Sequence, residues 1–333
     1  MARSTTDGSL TTTDSTLTGG VGTNGLTVAG TAAAANSLGS QFAVTASSDG
    51  KTLFAVNAGD DSISTFSIDS TGKLSLLKKN GTTGTFPNSL AYNNGYLYAA
   101  FLGSSQVIAY KANSDGSLTA VDTKSLAAGG AFVPTQVKAS PDGAFLLVGG
   151  KSSAIISYPV TGDGSLGAAV RNTTTIAVPF AGVFLGNRIY VTADVATASL
   201  SSYTLNADGS LTPITQSVLA TGQGASCWLS LTPNGKWAYV GNGGGSISVY
   251  SVSASGALAL INPTAANEGI AVAGDSWVSA DGKYLYSTYL KDGSIISYSI
   301  NDATGALTKV GSKVQVTPAN ANAGSSMQGV VGL

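Results

Sequence analysis

A polar residue, a glycine, a small or cationic residue and a leucine recur together seven times in this chain of 333 residues. The copies are Asp7-Gly8-Ser9-Leu10, Thr71-Gly72-Lys73-Leu74, Asp115-Gly116-Ser117-Leu118, Asp163-Gly164-Ser165-Leu166, Asp208-Gly209-Ser210-Leu211, Ser255-Gly256-Ala257-Leu258 and Thr304-Gly305-Ala306-Leu307. Their leucines stand 64, 44, 48, 45, 47 and 49 residues apart. A period of that length is the spacing of four-stranded propeller blades, and it leaves little room for a second domain.

Within each period the apolar residues alternate in runs short enough for strands, separated by turn residues. Cys227-Trp228-Leu229-Ser230-Leu231, Trp237-Ala238-Tyr239-Val240 and Ser246-Ile247-Ser248-Val249-Tyr250-Ser251-Val252 read as three strands of one blade, and the Ser255-Gly256-Ala257-Leu258 turn opens the fourth. Asp-Gly and Asn-Gly pairs suit the tight turns between them, because both tolerate positive φ. The turn aspartates are therefore read as structural. The expected fold is all-β: a seven-bladed propeller of four-stranded antiparallel blades forming a single domain over 1–333, with blades near 40–80, 86–125, 133–172, 179–218, 226–262 and 275–312.

The closing blade is expected from the two termini, 1–18 and 325–333, and it is short of residues. Aligning Gly8 with Gly256 puts Met1 inside a third strand, while Ser326 to Leu333 supply only a first strand. The expectation is that an upstream segment of roughly 15 to 30 residues, or a second chain, completes it, given a blade of about 40–45 residues. The alternative is a gap sealed by the Gly19 to Gln41 stretch lying across the exposed edges.

A net charge of -1 and three arginines, Arg3, Arg171 and Arg188, offer no field or forked contacts for a polyanion, so nucleic acid is not an expected partner. No apolar run approaches the roughly 18 residues of a membrane helix. Ser/Thr/Gly-rich surfaces and sequons at Asn80-Gly81-Thr82 and Asn172-Thr173-Thr174 point toward a secreted or extracytoplasmic protein, with a cytoplasmic one as the alternative. The chain has no histidine, which excludes Ser-His-Asp and Cys-His arrangements and His-bearing zinc sites. No metal and no cofactor are expected. Cys227, the only cysteine, reads as a small core residue.

The segments Ser140-Pro141-Asp142-Gly143, Leu53 to Ser64 and Gly241 to Tyr250, with the seven turns, resemble the lactonase-type seven-bladed propellers, the family of propeller 6-phosphogluconolactonases and muconate-lactonizing enzymes. The resemblance implies a hydrolase or isomerase acting on a small sugar-like ligand, a lactone or related cyclic ester. Family members credited with lactone chemistry carry histidine and arginine in the central pocket, so acid-base work here falls to other groups.

Loops joining second to third strands, and connectors entering first strands, should converge over the channel. The candidate catalytic residues there are Glu268, the only glutamate, and Asp275 as general bases, with Lys291 facing a developing oxyanion. Trp228 and Trp277 are candidate faces for a sugar ring, and Gln136, Asn57, Asn242, Tyr289 and Lys151 complete the candidate ligand-binding set. A non-catalytic carbohydrate- or partner-binding propeller remains the alternative function.

Overall fold

The computed structural model describes residues 1–32, 36–316 and 328–333. Among these there is no helix, and six four-stranded antiparallel sheets follow one another in chain order. Blade 1 is Val44–Ala46, Thr52–Asn57, Ser62–Ile68 and Leu74–Gly81, and blade 2 is Pro87–Asn93, Tyr96–Phe101, Gln106–Ala112 and Leu118–Ser125. Blade 3 is Pro134–Ala139, Phe145–Gly150, Ala154–Pro159 and Val170–Thr173, and blade 4 is Pro179–Leu185, Ile189–Asp194, Ser199–Leu205 and Leu211–Leu219. Blade 5 is Ser226–Leu231, Trp237–Asn242, Ser246–Val252 and Leu258–Asn267, and blade 6 is Ala273–Val278, Tyr284–Tyr289, Ser294–Ile300 and Leu307–Gln315. First strands pack on neighbouring first strands around the axis of the ring, and the apolar cores lie between consecutive blades.

The repeated turn explains itself at two levels. Locally, the aspartate carboxylate accepts the backbone N–H and the hydroxyl of the serine two residues on, at 2.9 and 2.5 Å for Asp115 with Ser117 and 2.9 and 2.6 Å for Asp208 with Ser210. Those bonds hold both carboxyls below their ordinary range. Between blades, the motif's leucine donates its backbone N–H to a side chain on the fourth strand of the preceding blade. Leu118 bonds Asn80 Oδ1 at 3.1 Å, Leu166 bonds Asp122 Oδ2 at 2.9 Å, Leu211 bonds Asn172 Oδ1 at 2.8 Å and Leu258 bonds Thr215 Oγ1 at 3.3 Å.

The two sequons are thereby reread. Asn80 is 8% exposed and its Nδ2 also donates to Gly116 O at 3.0 Å, while Asn172 Nδ2 donates to Gly209 O at 3.2 Å. Both amides are clamps between blades. A glycan on either nitrogen would break the clamp, so the sequons lend no weight to secretion.

A seventh four-stranded sheet is not formed by the described residues. Ala2–Arg3 and Leu10–Thr11 make a separate two-stranded hairpin, and Gln328–Leu333 run beside blades 6 and 1 without strand pairing. The expected first-strand residues Ser326 and Met327 lie outside the described residues. Within the described part of the Gly19 to Gln41 stretch, Val21 bonds blade 1 at Gly59 N, Ser37 and Leu38 bond Gln328 Oε1 beside the gap, and the end enters the channel; Thr18, just before it, bonds Ser64 Oγ of blade 1.

Candidate functional site

Ser40, Gln41 and Phe42 plug the channel from the side where connectors enter the first strands. Ser40 O accepts Trp228 Nε1 at 3.0 Å, and its hydroxyl donates to Asn88 O at 2.6 Å. Gln41 reaches blade 5, its Nε2 donating to Leu229 O at 2.9 Å and its Oε1 accepting Leu229 N at 3.1 Å. Its own N–H donates to Thr135 O on blade 3, and its carbonyl accepts Ser89 Oγ on blade 2. Phe42, at φ 64°, donates its N–H to Asp275 Oδ1 at 3.3 Å on blade 6 and accepts Leu90 N on blade 2. Three residues thus tie blades 2, 3, 5 and 6 to one another across the axis.

This plug reassigns several candidates. Asp275 is buried, and its second oxygen accepts Gly329 N at 2.8 Å; loss of solvent pushes its carboxyl up to about 7 against the bonds that favour its charge. Trp228 is 1% exposed and meets Phe180 edge-on at 5.7 Å, so no sugar ring reaches its face. Gln136, also buried, uses Nε2 on Gly182 O at 2.6 Å and Oε1 on Gly182 N, joining blade 3 to blade 4. Asn57 and Asn242 hold equivalent places at the ends of second strands. Asn57 Nδ2 donates to Ser62 and Ser64, and Asn242 Nδ2 to Ser246 and Ser248. Each secures its own strand pair instead of facing a ligand.

The proposed catalytic trio is not assembled. Glu268 pairs with Lys309 on the outer strand of blade 6 at 2.5 Å and accepts Tyr298 Oη at 3.2 Å, and Tyr289 shares its hydroxyl with Tyr298 at 2.6 Å. Tyr289 is fully buried in this chain of bonds. Lys291 and Lys151 are exposed on turns between second and third strands. Cys227 is buried and its thiol is pushed up to about 12, which leaves it protonated and inert.

Of the candidates, Trp277 borders open space in the channel. Below the plug, a cavity of about 400 Å³ is lined by Phe42, Lys138, Val183, Ser230, Ser276 and Trp277, and reaches the turns carrying Pro141 and Pro233. A second space of about 210 Å³ shares Phe42, Lys138, Ser276 and Trp277. Lys138 Nζ stands 4.3 Å from the centre of the Phe42 ring, and its withdrawal from water lowers the ammonium to about 8. Ser230 Oγ donates to Ser276 O at 2.7 Å and lies 2.8 Å from Ser276 Oγ.

Lys138 escaped the sequence reading, although a signal for it exists. Antiparallel pairing sets Ala139 opposite Leu146, Leu231 opposite Ala238 and Val278 opposite Leu285. Lys138, Ser230 and Trp277, each one residue earlier, therefore occupy the same place in three blades.

The sequence profile of the lactonase, 7-bladed beta-propeller family matches residues 15–125 and 164–275, more than half of the chain. The chain belongs to that family. A 6-phosphogluconolactonase of Yersinia pseudotuberculosis is 25% identical over 266 residues, covering 74% of this chain and 78% of its own length. The Pseudomonas aeruginosa periplasmic gluconolactonase shares the fold with a TM-score of 0.70 at 18% identity, over 83% of this chain and 85% of its own. A Lactobacillus plantarum protein does so with a TM-score of 0.71 at 20% identity, over 83% and 85%.

Proposed function

We propose that this lactonase-family propeller hydrolyses a sugar lactone or related cyclic ester in the cavity below the plug, with Lys138 as the general base. The carrying observation is a lysine recessed in an open channel cavity and lowered to about 8, so that about a tenth of it is the free amine at pH 7. That amine takes a proton from a water attacking the lactone carbonyl. As the ring C–O bond breaks, the resulting ammonium returns the proton to the leaving oxygen, giving a hydroxy acid and restoring Lys138. The paired Ser230 and Ser276 hydroxyls sit on the same wall for the carbonyl oxygen, and the partly exposed Trp277 indole supplies an apolar face for the ring. The step uses only groups of this chain.

A second reading, carbohydrate binding without turnover, is favoured by one observation: both oxygens of Asp275, the buried carboxylate at the plug, are taken by Phe42 N and Gly329 N. Turnover of a panel of sugar lactones decides between them. Hydrolysis should be lost in Lys138→Met and kept in Glu268→Gln and Lys291→Ala. Binding of an intact lactone with no turnover by the unsubstituted protein supports the second reading, and loss in Glu268→Gln alone overturns the Lys138 assignment.

A further inference from the structure

The space between blades 6 and 1 has the shape of an unfilled blade interior. The Ala2–Arg3 and Leu10–Thr11 hairpin sits where the third-to-fourth-strand turn of a further blade belongs. Tyr286 Oη donates to Gly8 O at 2.9 Å, just as Tyr239, at the same place in blade 5, donates to Gly305 O of blade 6 at 3.0 Å. Gly8 lies against the Tyr284 ring as Gly305 lies against Trp237, both too close for a Cβ. Arg3 reinforces the register through Asp281 at 3.3 Å.

On the axial side, Gly329 is anchored to Asp275 and Gly332 packs on Trp277, while Leu333 meets the first turn of blade 1 at Gly50. These contacts give Gln328–Leu333 the path of a first strand. Among the described residues, Val330–Leu333 make no backbone hydrogen bond. First-strand and outer positions are filled, and no described strand stands between them.

What remains is an apolar cleft of about 510 Å³, bordered by Val44, Leu53 and Leu74 of blade 1 and Trp277, Tyr286 and Ile295 of blade 6. Leu53 shows what is missing. Its counterparts at the same place in the other second strands, Leu97, Leu146, Tyr190, Ala238 and Leu285, are at most 1% exposed, whereas Leu53 is partly exposed.

We propose that this cleft is a strand-accepting site for an extended polypeptide segment patterned like the second strands of this chain, with apolar residues at alternate positions. Each of the six second strands is six residues long, and a strand of that length entering here pairs antiparallel with the free backbone of Val330–Leu333 on one side. A strand is preferred to a small apolar ligand because unpaired backbone groups border the cleft, and only another backbone satisfies them in series.

The test uses the protein as it stands and a fluorescently labelled synthetic peptide with the sequence of residues 283–300, the second and third strands of blade 6. Expected are saturable binding by anisotropy, a changed Trp277 emission and a higher Tm. Leu53→Glu and Leu74→Glu, each checked for a native circular dichroism spectrum, should weaken binding at least tenfold. Binding unaffected by both substitutions, equal binding of a scrambled peptide, or no binding at all would overturn the proposal. So would a dimer of the protein alone that dissociates on Leu53→Glu, which would assign the cleft to a second copy.

Discussion

Gln41→Ala is the sharpest probe of the plugged channel. Gln41 is fully buried and its side chain satisfies both the N–H and the C=O of Leu229 from across the axis. Truncation leaves two buried backbone groups without partners, at about 1–3 kcal/mol each, and opens a space the size of an acetamide. Water entering from the cavity below offsets part of this, so the expected loss is about 3 kcal/mol. With an unfolding entropy of about 2 cal/mol/K per residue, a chain of this length should melt about 4 °C lower. Gln41→Glu should lose more, because its carboxylate meets the Leu229 carbonyl and no longer donates to it. Differential scanning calorimetry with urea denaturation reads both. If Gln41→Ala stays within about 0.5 kcal/mol of the unsubstituted protein, or Gln41→Glu is the milder change, the plug is not held as described.

Other outcomes follow from the same contacts. Asn80→Ala and Asn172→Ala should each cost about 2 kcal/mol in urea unfolding, and their costs should add because they clamp different pairs of blades. Asp275 is raised to about 7 from 3.8, so the folded state keeps a proton the unfolded chain has lost; stability should fall as pH rises from about 4 to about 7, and Asp275→Asn should flatten that slope in denaturation curves taken across the range. Lys138→Met should unfold at a higher urea concentration at pH 7, because it removes a charge held away from water, while losing turnover. Cys227 should resist a thiol reagent in the native state and react on unfolding.

The blades were legible because their turns repeat, and in four of the seven copies the leucine N–H reaches the preceding blade. The first interval, 64 residues against 44 to 49 elsewhere, also marked an insertion, but no periodicity tells that Ser40–Phe42 turn inward to fill a channel. The expected site residues are dispersed for a related reason. Gln136, Trp228 and Asp275 are expected on connectors entering first strands, but the pairing slips between Pro134 and Gln136, Ser226 and Trp228, and Ala273 and Ser276, and position in the repeat does not reveal such a break. Those side chains turn to partners on neighbouring blades or to the plug, and Lys138 and Trp277, two residues further along, meet the open cavity. Glu268 was singled out for its rarity, yet a carboxylate beside Lys309 on the outer strand is an ion pair at the rim.

The pH dependence of kcat/KM for lactone hydrolysis tests the central claim most directly. With Lys138 as base, the rate should rise with pH to a plateau with a midpoint near 8, and Lys138→Met should remove that limb and lower the rate by about 10²–10⁴. A flat profile through pH 8, or an unchanged profile in Lys138→Met, would contradict it.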